Sequence, residues 1–184
     1  MNSKTLVFVL IMAFLFSCNN KEEEILISPE YKKEINDWHQ KRIDNLKKET
    51  GWLNLVGLYW LDEGENTFGS SDKNKIIFPS KAPEKLGNFI KNDSTIIFIS
   101  ENNVPVLSNG EKATKIEMKA DISGEPTILE NESLRWFIIK RGEKYGIRLR
   151  DLEAELIKNF EGIERFPINP KWKINAKFIP YDKP

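Results

Sequence analysis

Two residue types that carry much of protein chemistry are almost missing from this sequence. Its 184 residues include one cysteine, Cys18, and one histidine, His39. A zinc site draws three or four ligands from Cys, His and carboxylates, and Cys–His catalysis needs both partners. Glycine-rich phosphate-binding loops are lacking as well. We therefore expect no metal, no cofactor and no thiol catalysis. A Ser–His–Asp triad would have to use His39, which follows Trp38 on a predicted helix and is expected at the boundary of its packed face.

An excess of charge of either sign is also lacking. The 28 Lys and Arg residues balance 28 Asp and Glu residues, so the net charge is zero with His neutral. General nucleic-acid binding depends on surplus Lys and Arg that neutralise phosphates. We therefore expect no nucleic-acid partner.

No apolar run is long enough to span a bilayer. The longest, residues 6–16, follows Lys4 and has the length of a signal-peptide core. The end of this run, Leu-Phe-Ser-Cys at residues 15–18, resembles a bacterial lipobox, although Phe16 is bulkier than the residue usually found at its position. In that pathway the cysteine thiol receives a diacylglyceryl group and cleavage precedes it. We predict a signal peptide over residues 1–17 and a lipid anchor at Cys18. An ordinary secreted protein with an incidental cysteine is the alternative.

The residues after Cys18 are strongly charged. Residues 19–24 read Asn-Asn-Lys-Glu-Glu-Glu, which resembles the surface-export signal of Bacteroidetes lipoproteins. A solvated tether of the kind any lipoprotein needs is the other interpretation. Residues 18–28 are therefore predicted to be a lipidated tether. The resemblance implies an outer-membrane lipoprotein of the cell envelope, exposed at the cell surface if the signal is read.

The remaining residues, 29–184, are predicted to form a single domain. Ser28-Pro29-Glu30 is typical of a helix start, and apolar residues at helical spacing predict one amphipathic helix over residues 30–49. These apolar residues are Ile35, Trp38, Ile43 and Leu46. About ten short strands separated by tight turns follow, with residues 172–179 expected to close the sheet. The fold class is mainly β, an antiparallel β-barrel or sandwich with one N-terminal amphipathic helix.

The stretch 51–79 is the centre of this pattern. Residues 52–61 are apolar at nearly every position, which favours a strand buried on both faces or sharply bent. Gly57 interrupts the run and predicts a β-bulge. Two further short strands, ended by Pro79, complete a predicted β-meander.

Three blocks of sequence carry a resemblance to a known family. They read WLNLVGLYWLDEGENTFGS, RGEKYGIRLRD and FEGIERFPINPKWKINAKFIPY, and the resemblance as a whole runs from about residue 31 to residue 181. The chain resembles the bacterial and archaeal family labelled domain of unknown function 1684, which implies no catalytic or binding residue. A weaker resemblance, at Gly69-Ser70 and residues 74–77, is to the forkhead-associated domain. Phe68 stands where those domains carry an Arg and no His follows, so phosphopeptide binding is not implied.

A cluster of acids offers the candidate catalytic residues. Asp62, Glu63 and Glu65 fall at one predicted turn. Two carboxylates can act as general acid and base when their environments separate their pKa values. Acidic turns are also common on protein surfaces, so a solvated turn is the competing interpretation.

The predicted hairpin over residues 134–150 carries the candidate binding residues. With Gly142-Glu143 as its turn, Arg135 faces Arg150, and Arg148 lies two residues away on the same side. Like charges opposite each other destabilise a sheet by about 0.2–1 kcal/mol. Either an anionic ligand or an internal ion pair with Asp151, Glu153 or Glu155 should offset this repulsion. The other side, with Trp136, Ile138, Tyr145, Ile147 and Leu149, is predicted to face the core.

These patterns predict a lipid-anchored protein of the cell envelope that works as a small-ligand-binding or assembly module. Its expected partners are the membrane, through the anchor, and a small anionic ligand or another envelope protein. A carboxylate-dependent hydrolase using residues 62–65 and a purely structural partner of an envelope protein are the alternatives.

Overall fold

The computed structural model describes residues 26–181. They form two compact units, residues 26–39 with 164–181, and Gln40–Ile163. The predicted signal peptide, Cys18 and the tether as far as residue 25 lie outside the described residues.

The predicted helix is present as α1, Pro29–Lys47. The Ser28 side chain caps it by accepting a hydrogen bond from the Tyr31 N–H at 3.2 Å, as the sequence predicts. No residue of α1 is fully buried, and Trp38 is 58% exposed. At 3.6 residues per turn, Trp38 lies about 60° from Ile35 around the helix axis, on the flank of the apolar stripe. Trp38 was expected on the packed face, so the prediction for this residue was wrong, whereas Ile35, Ile43 and Leu46 are half-buried.

Residues 26–181 contain eleven strands in two sheets. In chain order they are β1 (Leu55–Trp60), β2 (Gly64–Gly69), β3 (Ile76–Ile77), β4 (Gly87–Asn92), β5 (Thr95–Ser100), β6 (Leu107–Ser108), β7 (Glu111–Lys112), β8 (Lys115–Glu117), β9 (Ile128–Asn131), β10 (Leu134–Arg141) and β11 (Lys144–Asp151). The larger sheet has the order β1-β11-β10-β9-β6-β7, and the smaller one β3-β2-β4-β5-β8. A short helix, α2 (Glu155–Lys158), follows β11.

The hydrophobic core lies between the two sheets. Phe68 of the smaller sheet meets Trp136 of the larger one edge-to-face, with ring centroids 5.8 Å apart, and both side chains are fully buried. Phe89 stacks on Phe68 at 4.8 Å. Two separate sheets around one shared core make a β-sandwich. The mainly-β fold class is confirmed, and of the two predicted architectures the protein adopts the sandwich.

The β10–β11 hairpin has the predicted register. Arg141 is opposite Lys144, Phe137 opposite Arg148, and Arg135 opposite Arg150. Gly142 has a φ of +58°, a left-handed conformation that glycine adopts without steric cost. The five side chains predicted to face the core are all buried.

The central stretch differs from its prediction in two ways. β1 is not buried on both faces, because its residues alternate between half-buried and exposed. The three strands are also not a meander: β1 and β2 belong to different sheets, and β2 pairs with β3 in parallel. The buried Asn66 side chain holds the corner between the sheets by accepting from the Asp62 N–H and donating to the Asp62 carbonyl. The bulge predicted at Gly57 is present as a register shift between Leu55 and Gly57.

The segment expected to close the sheet is not a strand. After a turn of 3₁₀ helix at Pro170–Trp172, residues 173–181 have no regular secondary structure. Ile174 is 84% exposed and Phe178 86% exposed. Alternation of apolar and polar residues does not by itself make a strand, because the backbone groups also need a neighbouring strand to pair with.

Candidate interaction surface

Of the three candidate catalytic carboxylates, Asp62 and Glu63 lie at the exposed turn between β1 and β2, and Glu65 is exposed at the start of β2. Glu63 accepts hydrogen bonds from the Lys91 ammonium and the Asp93 N–H, and these bonds hold the pKa of Glu63 below its ordinary value. Glu65 accepts from the Asn88 side-chain amide. A general acid needs a raised pKa at neutral pH, so the environment of Glu63 opposes that role.

A second polar cluster, which the sequence did not reveal, surrounds Asp151. Its carboxylate is mostly buried and accepts from the Ser133 hydroxyl at 2.7 Å, the Glu153 N–H at 3.0 Å and the Lys81 ammonium at 3.0 Å. Burial opposes ionisation of Asp151, but these three donors outweigh it and lower its pKa. Burial likewise opposes the charge on Lys81, but hydrogen bonds to Asp151 and Glu153 raise its pKa. A protonated Lys81 cannot accept a proton from Ser133, so this cluster does not activate a nucleophile. It stabilises the fold by linking the segments that carry Lys81, Ser133 and Asp151.

The structure brings Arg135, Arg148 and Arg150 to one face of the larger sheet, and two of them have partners within the chain. The Arg135 Nε lies 3.0 Å from a carboxylate oxygen of Glu130. Arg150 donates to Asn54 Oδ1 at 2.7 Å and to the carbonyls of Glu49 and Gly51. Asn54 is fully buried, so Arg150 satisfies polar atoms that water does not reach.

The acids expected to neutralise these arginines are engaged elsewhere. Asp151 and Glu153 pair with Lys81, and Glu155 pairs with Lys158. The actual partners are Glu130, on the strand next to Arg135, and main-chain carbonyls after α1. Binding of an anionic ligand by the three arginines stays a prediction.

Arg148 differs from its two neighbours. The residue is half-buried, and within the described chain, 26–181, its guanidinium forms no hydrogen bond or ion pair. Its charge acts on Asp121 and Arg150 only through space. The five N–H donors of its guanidinium therefore have no protein acceptor within these residues, so Arg148 is a candidate contact for an external acceptor.

Arg148 lies in the middle of an apolar row that crosses four strands. Leu58 of β1 is opposite Arg148, which is opposite Phe137 of β10, which in turn is opposite Ile128 of β9. Directly paired residues of a sheet point to the same face. Leu58 is 45% exposed and Ile128 39% exposed. We call this row, together with Val56 and Trp60 of β1, the outer face.

At its β1 end the outer face is apolar, although Arg135, Arg150 and Glu130 lie on the same side of the sheet. An antiparallel sheet that is covered on one side ordinarily alternates apolar residues inward with polar residues outward. Val56 and Trp60 are 39% and 45% exposed, and neither has a polar side chain on its flanking outward positions of β1. The indole of Trp60 lies on Gly146, where an added Cβ would come within 2.9 Å of Trp60 Cε3. This contact fixes the ring against the sheet.

Residues 26–39 and 164–181 contain a groove of about 290 Å³. Its walls are largely aromatic and include Tyr31, Trp38, Phe166 and Trp172, with His39 beside them. Arg165, which also lines the groove, donates to Asn36 Oδ1. The single histidine therefore lies next to aromatic rings, and a Ser–His–Asp arrangement finds no support in these surroundings.

No helix between residues 26 and 181 combines the length and apolar character needed to cross a membrane. Within the same residues, no group of three or more His, Cys, Asp or Glu side chains comes together as a metal site would require.

No family model matches the sequence, and no curated protein is similar to it. Among solved structures, the chain is similar to one titled "Rv0020c_FHA Structure", at 10% sequence identity, with 52% of this chain and 94% of that chain covered and a TM-score of 0.34. A likeness this weak carries no argument about the site. The resemblance to domain of unknown function 1684 rests on the three sequence blocks and stays a prediction.

Proposed function

We propose that this protein is a lipid-anchored assembly module of the cell envelope, and that it binds an envelope protein through its outer face. The observation that carries the proposal is the row Leu58–Arg148–Phe137–Ile128, in which apolar side chains flank a guanidinium without an acceptor. Aromatic residues and Arg are enriched in the centres of protein interfaces. The partner surface that fits is apolar with one carboxylate placed over Arg148.

The anchoring part of the proposal rests on the sequence. Residues 15–18 resemble a lipobox and residues 19–24 resemble a surface-export signal. These features favour an outer-membrane lipoprotein. An anchored protein meets its partners at the membrane surface, where a modest interface is sufficient for association.

The assembly role has more support than the other two functions considered. A hydrolase would need one carboxylate with a raised pKa, whereas hydrogen bonds lower the pKa of Glu63. A small anionic ligand would compete with Glu130 for Arg135, and with Asn54 and two carbonyls for Arg150.

Site-specific photo-cross-linking in cells tests the assembly role. A photoreactive residue at Ile128, which is 39% exposed on the outer face, should link to a discrete partner. The matched control is Ile90, 38% exposed on the smaller sheet, which should give no such product. Arg148→Glu should remove the Ile128 product because it places a carboxylate opposite the carboxylate of the partner. Equal products at both positions, or a product that survives Arg148→Glu, would contradict the proposal.

A further inference from the structure

We propose that two copies of this chain associate by antiparallel pairing of their β1 strands. The inference concerns the backbone edge of the larger sheet and goes beyond the proposed function, which uses the face of that sheet.

β1 ends the larger sheet with one side of its backbone unpaired by any strand in residues 26–181, since it pairs only with β11. Unpaired strand edges are templates for further strands, and proteins protect them with charged residues, prolines, β-bulges or very short strands. Three edges are short or charged: β3 and β7 have two residues each, and β7 and β8 carry Glu and Lys. β1 has six residues, Leu-Val-Gly-Leu-Tyr-Trp, with neither charge nor proline, and its bulge between Leu55 and Gly57 leaves residues 57–60 regular.

The hydrogen-bonding pattern of β1 identifies which groups face the open edge. The Leu61 N–H donates to the Tyr145 carbonyl at 2.9 Å. Along an antiparallel pair, hydrogen-bonded and non-hydrogen-bonded positions alternate. Gly57 and Tyr59 therefore bond to β11, while Leu58 and Trp60 direct their N–H and C=O groups outward. The bulge at Val56 breaks the register at the start of the strand only.

β1 is self-complementary about Leu58. In an antiparallel pair centred there, Leu58 lies opposite Leu58 of the second copy, and Trp60 lies beside the bulge at Val56. These three side chains are 39–45% exposed in the single chain, and pairing would cover them with apolar partners. No like charges come together, and the zero net charge gives two copies no long-range repulsion.

A second copy is the occupant that this symmetry favours. A two-fold interface uses the same patch on both subunits, and a six-residue edge with matching outward groups at its centre meets that requirement. Pairing would join the two larger sheets into one and place both outer faces side by side. Ile128 is three strands away from the edge, so self-pairing leaves the centre of each outer face open.

Disulfide trapping tests the register directly. Cys18 is the only cysteine, so a full-length Cys18→Ser background contains none. Leu58→Cys in this background should form a disulfide-linked dimer on oxidation, because hydrogen-bonded partners lie about 5.5 Å apart at Cα, within the span of a disulfide. Ile90→Cys, of similar exposure, should not. Trp60→Cys should cross-link poorly, because Trp60 lies two residues from the centre of the pair and not opposite itself.

A charge at the centre of the pair tests its energetic basis. In the same full-length background, Leu58→Lys would place two ammonium groups opposite each other and should shift the protein from dimer to monomer in sedimentation equilibrium. Ile77→Lys, at a 50% exposed position of β3, should remain a dimer. A wild-type chain that is monomeric at micromolar concentration, or Leu58→Cys cross-linking no better than Ile90→Cys, would overturn the inference. If the wild-type chain forms dimers but a photoreactive residue at Ile128 gives no discrete product in cells, the result would count against the proposed function alone.

Discussion

Arg148 and Arg150 lie two residues apart on β11 and on the same face of the larger sheet, yet their surroundings differ. Arg150 bonds to the buried Asn54 side chain and to two carbonyls, and burial followed by the charge of Arg148 lowers its pKa. Arg148 has no acceptor within residues 26–181. The Arg150 guanidinium therefore stabilises the folded chain, whereas the Arg148 guanidinium is a candidate contact for a partner.

This contrast predicts opposite outcomes for the same substitution. Arg150→Ala should lower the free energy of unfolding by about 2 kcal/mol, because it removes charged hydrogen bonds and leaves Asn54 unsatisfied. Arg148→Ala should change that energy by less than about 0.5 kcal/mol. Urea denaturation of the two variants measures both. Equal losses would mean that Arg148 has a structural role after all.

Asp151 predicts a dependence of stability on pH. Burial opposes its ionisation, but hydrogen bonds from Ser133, Glu153 and Lys81 lower its pKa in the folded state. A lowered folded-state pKa contributes stability above the unfolded value of about 3.9, and this contribution is lost as pH falls through the folded value. Asp151→Asn should therefore lower the free energy of unfolding at pH 7 and flatten the acid limb, that is, the loss of stability as the pH falls. Unfolding midpoints from pH 7 downward test this, with Asp62→Asn at the exposed turn as control. An unchanged acid limb in Asp151→Asn contradicts it.

At the scale of single elements, the β10–β11 hairpin was predictable from its turn and from β11. Period-two alternation along β11 and a two-residue turn at Gly142-Glu143 fix the register of the hairpin, although β10 itself is apolar without alternation at residues 136–139. The partners of Arg135 and Arg150 were not predictable. Glu130 lies next to Arg135 because β9 pairs with β10, and the carbonyls of residues 49 and 51 lie next to Arg150 because of the tertiary fold. Sequence places residues on a face, but tertiary structure decides their neighbours.

β1 shows a different limit of sequence reasoning. When both faces of a strand are apolar, alternation disappears from the sequence, and burial on both sides becomes the natural interpretation. The position of β1 at a sheet edge, with Val56, Leu58 and Trp60 exposed, is a property of the topology. The candidate surface was missed for this reason, although Arg148 on its row was identified. The strand predicted at residues 172–179 was wrong for the opposite reason: apolar and polar residues alternate there, but no neighbouring strand pairs with them.

The contact between Trp60 and Gly146 makes a prediction about how β1 meets β11. A Cβ at position 146 would lie 2.9 Å from both Trp60 Cε3 and the Tyr59 carbonyl oxygen. Gly146→Ala should therefore cost about 1–3 kcal/mol of unfolding free energy through overpacking. Trp60→Ala in the same chain should recover part of that cost, as a double-mutant cycle would measure. Simple additivity of the two substitutions would show that the indole is not the obstacle.

For the whole molecule, the proposed lipid anchor would place every other interaction at a membrane surface. Acyl chains contribute about 0.8 kcal/mol per buried CH₂, so two or more chains hold a protein stably at a membrane. Cys18→Ala should abolish incorporation of labelled fatty acid and release the protein from the membrane fraction. Labelling that persists in Cys18→Ala would exclude lipidation at this position.

Anchoring should also strengthen the pairing of β1 edges, because confinement to a surface raises the effective concentration of one copy near another. In cells, Leu58→Cys in the otherwise native chain should yield more disulfide-linked dimer than Leu58→Cys combined with Cys18→Ala at equal abundance. Both chains have a single accessible thiol if Cys18 is lipidated, so the difference reports confinement rather than thiol number. Ile90→Cys should give little dimer in either background. Equal dimer yields from anchored and released chains would mean that the edge pairs without help from the membrane, with an affinity set by β1 alone.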